Sequence, residues 1–360
     1  MIRFAWNRFR TQAAVGAGVL AIAAVVFALT GIQLAHSYDA AVAVCKQQGN
    51  CADLFDVWPS NGYLTADNIL GAIGLAAPGL IGMFWGAPLV AREFETGTFR
   101  LAWSQGVTRV RWLAAKLGIA GVAAIAAGEL FSLMVNWWAS PIHKAMSGYT
   151  PFISGSYHSG IAPAGYTAFA FALGVTAGLF IRHTLPAMAV TLAIFTAVII
   201  VFPIWVRPHL IPPVKTTSTL SLASISNMPG VGAFNGHLSL APGPAAAPPG
   251  AWVISSSQLT APDGRASSSE PAGPCGEPPS PAAGQACDDY IQSLHLRQAV
   301  TYQPASRYWD FQWAETAIYL AFALLLAGLC FLRIRPGRRA EPGIHRPRDI
   351  GRAPALEWSP

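Results

Sequence analysis

Residues 90–116 read V-A-R-E-F-E-T-G-T-F-R-L-A-W-S-Q-G-V-T-R-V-R-W-L-A-A-K, with long apolar runs on either side. Arg92, Glu93, Glu95, Arg100, Arg109, Arg111 and Lys116 all fall here, in a chain that is only 11% charged. A charge at the bilayer centre costs about 2.5–3.5 kcal/mol on insertion scales, so this stretch lies outside the lipid, between two spans. Gly97 and Gly106 bracket T-F-R-L-A-W-S-Q, residues 98–105, which reads as a short helix of about two turns. Glycine suits the left-handed residue that ends a helix. Phe99, Ala102 and Trp103 share one face at i, i+3, i+4 spacing, and Thr108 stands where it would cap the next helix. The residues alone support two readings: a rigid element that transmits force between spans, or an ordinary capped loop.

Outward from this loop, the 360 residues are 53% hydrophobic. Apolar runs of about 20 residues each are long enough to cross a bilayer. Six of them are expected, at 13–35, 68–91, 112–138, 163–181, 186–206 and 312–332. The expected fold is all-α integral membrane, with six transmembrane helices, the short helix at 98–105 and a long, partly disordered extracellular insertion between helices 5 and 6. The chain then divides into a membrane domain (1–206), an insertion (207–311), a sixth span (312–332) and a basic tail (333–360). Ala13 to Ala35 exceeds the roughly 7–15-residue core of a cleaved signal, so it is expected to remain as a span. Before it, Arg3, Arg8 and Arg10 interleave with Phe4, Trp6 and Phe9. That pattern fits a short helix lying on the inner leaflet or a plain basic flank.

Charge placement sets the orientation. The central loop holds Arg92, Arg100, Arg109, Arg111 and Lys116, whereas 36–67 and 139–162 hold one basic residue each, Lys46 and Lys144. Basic loops stay inside, so the central loop is expected in the cytoplasm, and six spans put both termini there too. The formal charge of +6 therefore reports topology and not nucleic-acid binding. Within the spans, Pro78 and Pro88 predict breaks that neighbouring helices must satisfy. Gly82-x-x-x-Gly86 and Gly174-x-x-x-Gly178 offer faces for close packing. Residues 241–286 are rich in Pro, Gly, Ser and Ala, which predicts irregular or disordered chain. Order is expected to return over 288–300, with Asp288 and Asp289 at a helix N-terminus. Tyr308, Trp309, Trp313 and Tyr319 suit an interfacial aromatic belt, with Glu315 at the membrane surface.

Four of the five cysteines, Cys45, Cys51, Cys275 and Cys287, fall outside the spans; Cys330 lies in the sixth. An even number in an oxidising compartment implies disulfides, paired either locally within each loop or between the loops. No histidine sits at ligand spacing beside either pair, so no metal site is expected. Glu129 is the carboxylate deepest in a span. It either lines a substrate path or lies near the outer headgroups. No phosphate-binding G-x-x-x-x-G-K-[ST] and no hydrolase or metalloprotease signature is present, so the chain is not expected to be an enzyme. Active transport would need energy from a partner.

Glu93-Phe94-Glu95-Thr96-Gly97-Thr98, followed by Ser104-Gln105-Gly106-Val107-Thr108-Arg109 and Lys116, resembles the cytoplasmic loop of type-2 ATP-binding-cassette (ABC) exporter permeases, bacterial six-span proteins. The resemblance implies that the 98–105 helix docks on a separate ABC ATP-binding subunit. Glu93, Glu95, Gly97, Thr98, Phe99, Arg100, Trp103 and Arg109 would couple the two. It further implies a second permease copy (a homodimer, or a paralogue) and residence among the lipids of the bacterial cell membrane. ATP and Mg would sit on the partner, with no cofactor on this chain. The cargo would be hydrophobic or amphipathic: an antibiotic, a peptide or a lipid-like molecule. The long insertion supports a different class, a non-transporting membrane scaffold or sensor with an extracellular binding segment.

Overall fold

A computed structural model describes residues 2–48, 58, 61–98, 108–146, 150, 152, 159–220, 231–240, 247–248, 250–276 and 281–335. The chain is mostly helical. Helix α1 is Ile2–Gln48; α2 runs in three parts, Asn61–Ile81, a π-helical turn Gly82–Gly86, and Ala87–Glu95; α3 is Arg109–Ala145 and α4 is Ala162–Ile181. Helix α5 follows as Thr184–Val201, a π-helical turn Phe202–Val206, and Arg207–Leu210. Then come β1 (Val214–Thr219), β2 (Val231–Phe234), β3 (His237–Leu240), β4 (Trp252–Ser256), α6 (Pro281–Ser293), β5 (Arg297–Gln303) and α7 (Tyr308–Ile334). Helices α1 to α5 and α7 are each long and apolar enough to cross a membrane, which matches the six expected spans. Six crossings place Ile2 and Ile334 on one face, here called the terminal face. The α2–α3 connection and the α4–α5 turn lie there too. The insertion after α5 lies on the opposite face.

Helix α4 occupies the centre and packs against α2, α3, α5 and α7. Lipid tails are as apolar as leucine, so burial alone does not hold such a bundle; close contact between small residues does. The two glycine motifs meet each other. A Cβ at Gly174 would collide with the carbonyl oxygen of Gly82, and one at Gly178 would lie 2.5 Å from the carbonyl oxygen of Ala87. The π turn brings those carbonyls forward, with Ala87 N–H bonded to Gly82 O. It directly precedes Pro88, which has no N–H to give. Helix α2 passes Pro78 unbroken. Helix α1 packs mainly along α3. Val15, Val19, Ile22 and Leu29 on its outer side are exposed, as lipid-facing residues should be.

Three expectations are corrected. First, the arginine- and aromatic-rich start is no separate surface helix. It continues into the first span without a break, and α1's 47 residues measure about 70 Å, against about 30 Å of hydrocarbon. Second, the fold is not all-α. β5 pairs antiparallel with β1 and with β4, giving the order β1-β5-β4. In register, Thr216 faces Val300 and Val253 faces Tyr302. Third, 241–286, expected to be mostly irregular, carries some regular structure, so order begins before 288. It contributes β4 and the start of α6, and Asp288 and Asp289 sit in the second half of that helix, not at its N-terminus. Composition failed here because β4 is fixed by a neighbour about fifty positions away, not by its own residues. β2 and β3 form a hairpin closed by Asn235-Gly236, both with positive φ, as a tight two-residue hairpin turn requires.

A small core of Leu238, Leu259, Ile291 and Leu296 holds the insertion together, with Cys287 inside it. Cys275 and Cys287 are disulfide-bonded, tying the turn before α6 to α6 itself. Cys45 is also disulfide-bonded; its expected local partner, Cys51, lies outside the described residues. Cys330 is a buried free thiol.

Candidate functional site

The charged stretch that opened the sequence reading sits on the terminal face, and its two ends are firmly built. Helix α2 stops at Thr96, whose hydroxyl donates to Arg92 O at 2.9 Å. Gly97 follows with φ +70°, the left-handed residue expected at a helix end. The hydroxyls of Thr96 and Thr98 lie 3.0 Å apart. On the far side, the Thr108 side chain accepts from Arg111 N–H at 3.3 Å and so caps α3. Arg109 is the first residue of α3. Phe99, Arg100, Trp103 and the helix expected over 98–105 lie outside the described residues.

The last turn of α2 is fastened on both sides. Toward α3, Glu93 pairs with Lys116 at 2.5 Å. Lys116 Nζ also donates to Leu89 O at 3.0 Å and lies 4.5 Å from the Trp112 ring. Lys116 is 5% exposed, so its stem is packed and its charge is spent within the frame. Toward the α4–α5 turn, Glu95 accepts from the Thr184 hydroxyl and lies 3.5 Å from His183 Nδ1. Arg182, left-handed at φ +62°, stacks its guanidinium 5.5 Å from the Phe94 ring. Glu93, Glu95, Gly97 and Thr98 thus share one frame with the ends of α3, α4 and α5.

A family model described as ABC-2 membrane transporter related matches residues 17–207, more than half of the chain and the whole of this frame. The chain belongs to that family. Among curated proteins and among solved structures, nothing matches. This ABC-2-related chain is thus a multi-pass membrane protein and a transporter component, and its family implies an ABC ATP-binding partner.

Glu129 of α3 lies beside the start of α4; its Oε2 is buried without a hydrogen-bond partner, and the nearby Ala164 N–H bonds Ile161 O. The first N–H groups of a helix have no partner within it, and they favour a negative charge. Glu129 therefore places a carboxylate near the N-terminus of α4. Near the same face, His143 of α3 lies 3.3 Å from Asp67 of α2, and both are buried.

The most heavily buried charges among the described residues of this ABC-2-related chain are ones expected at the surface. Arg207, at the end of α5, is 3% exposed and Glu315 of α7 is 2% exposed, with Nε and Oε1 2.6 Å apart. Tyr166 of α4 donates to Glu315 Oε2 at 2.6 Å. Arg207 also donates to Phe152 O at 3.0 Å. Gln312 Oε1 accepts from Ala162 N–H at 2.9 Å. One signal was available: Gln312, Glu315, Thr316 and Tyr319 fall at i, i+3, i+4 and i+7, a polar stripe on one face of an apolar helix. That stripe faces α4, not lipid.

Proposed function

We propose that this chain is the membrane-spanning permease subunit of an ATP-driven ABC exporter, with ATP hydrolysed by a separate subunit. The supporting observation is the two-sided fastening of α2's last turn, to α3 through Glu93–Lys116 and to the α4–α5 turn through Glu95–Thr184. A push on the 98–105 segment from below would enter α2 and α3 through Gly97 and Thr108, and reach α4 and α5 through Glu95. Several spans would then move together, as rigid-body alternation between two states requires. On this reading the terminal face is cytoplasmic, ATP and Mg stay on the partner, and two permease copies build the conduit. The cargo on this reading is hydrophobic or amphipathic, as the family resemblance implies. The chain itself performs no catalysis.

The test is co-purification with the ABC ATP-binding subunit and measurement of coupled ATP turnover. Gly97→Pro is expected to abolish coupling, since proline holds φ near −65° and cannot adopt the +70° found there. Glu95→Ala is expected to weaken coupling by releasing the α4–α5 turn. Unchanged association and turnover in both variants would overturn the reading.

A further inference from the structure

The Arg207–Glu315 pair unites more of the molecule than any other ion pair among the described residues. Tyr166 belongs to α4, Arg207 to α5 and Glu315 to α7, and the insertion covers them. Trp252 of β4 lies 5.2 Å from the Arg207 guanidinium, stacks on Phe152 at 5.8 Å and meets Phe311 edge-on at 5.9 Å. The neck of the insertion is clamped beside it. Gln303 Nε2 donates to Ile211 O at 2.6 Å, and Arg307 donates to Pro212 O at 2.8 Å and to Gln303 Oε1 at 3.0 Å.

We propose that Arg207, Glu315 and the Trp252 ring form a latch that holds the insertion-face ends of α4, α5 and α7 shut, and that must part before this end of the bundle opens. Three arguments carry it. A buried ion pair adds little net stability over a well-packed apolar pair, so simple cohesion does not call for one here. The pair joins α5 to α7, Tyr166 joins it from α4, and the three meet only when those spans are together, which makes this a two-state contact: joined and dry, or parted and hydrated. About one turn nearer the insertion than Glu315, Gln312 Nε2 has no hydrogen-bond partner although Gln312 is 1% exposed. The shut state thus leaves a donor unsatisfied that water would satisfy on opening. The π turn Phe202–Val206, just before Arg207, is the kind of local register change that often marks a functional bend.

The latch deepens the transporter reading and rests on it, but its test needs neither nucleotide nor partner, so the two can fail separately. Amide hydrogen exchange is measured on the full chain in lipid nanodiscs. Glu315→Gln leaves Arg207 without a counter-charge. It is expected to raise exchange by about tenfold or more at 159–166, 207–211, 252–256 and 297–303, and to leave 109–120 on the other face unchanged. The double variant Arg207→Met with Glu315→Leu replaces the pair by apolar side chains and should protect those segments as the unaltered chain does. Trp252→Ala should raise exchange at 252–256 and 297–303 and, less strongly, at 207–211. Unaltered exchange in Glu315→Gln would overturn the latch. So would equal deprotection of all six spans, which would make the pair a general stabilising contact, or a double variant as open as Glu315→Gln. Exchange unchanged at 207–211 in Trp252→Ala would remove the ring from the latch.

Discussion

Each face of the bundle carries a glutamate paired with an arginine or lysine, Glu315 with Arg207 and Glu93 with Lys116, and the two are built differently. On the insertion face, Arg207 and Glu315 are almost wholly buried and roofed by aromatic rings. On the terminal face, the Lys116 side chain is 5% exposed but that of Glu93 is 15% exposed, at the rim of the connection to α3. Water reaches one pair and not the other. A charge that can hydrate survives loss of its partner cheaply, whereas a sealed one does not. On the proposed latch, the insertion face is shut or open, with little between. On the proposed coupling, the terminal face stays joined while a partner presses on it.

That contrast can be broken by measurement. The largest effect is expected from Arg207→Met, which strands the Glu315 charge and should cost about 3–5 kcal/mol in thermal or denaturant unfolding in detergent. Adding Glu315→Leu should recover most of the loss, and failure to recover would mean that Arg207 acts through its ring contacts alone. Next is Cys275→Ser, which opens the Cys275–Cys287 bond and should cost about 3 kcal/mol, confined to the insertion. Proteolysis should then cut between β4 and β5 while the spans stay intact. Lys116→Met should cost less than Arg207→Met, about 1.5–3 kcal/mol for loss of charged hydrogen bonds, because Glu93 can turn to water. A cost equal to that of Arg207→Met would erase the distinction between the faces. The smallest effect is Thr108→Ala, about 1 kcal/mol from the lost cap, seen as faster exchange over the first turn of α3.

Much of the terminal face was legible in the residues. Thr108 reads as a cap because a hydroxyl three positions before an N–H is a local matter, and Gly97 reads as a helix end for the same reason. The paired glycine motifs were visible as packing faces, though not that they pack on each other. Glu129 was visible as a costly carboxylate; that it lies beside the start of α4 was not, since that helix begins more than thirty positions away. Glu315 was misread as a surface charge because its neighbours Trp309 and Trp313 look interfacial, and these are indeed exposed. The opposite side of the same helix is the one that is sealed.

By itself the sequence determined that six helices are long and apolar enough to cross a membrane, and roughly where each of them lies. Lipid cannot hydrogen-bond the backbone, so each crossing must satisfy itself as a helix, and a helix of sufficient apolar length shows in any window of residues. Only the tertiary structure decided that β1 and β4 pair with β5, that α4 stands at the centre, and that Arg207 meets Glu315. Those contacts join residues tens to more than a hundred positions apart, and their energy lies in excluding water from a meeting point that no single stretch of chain contains.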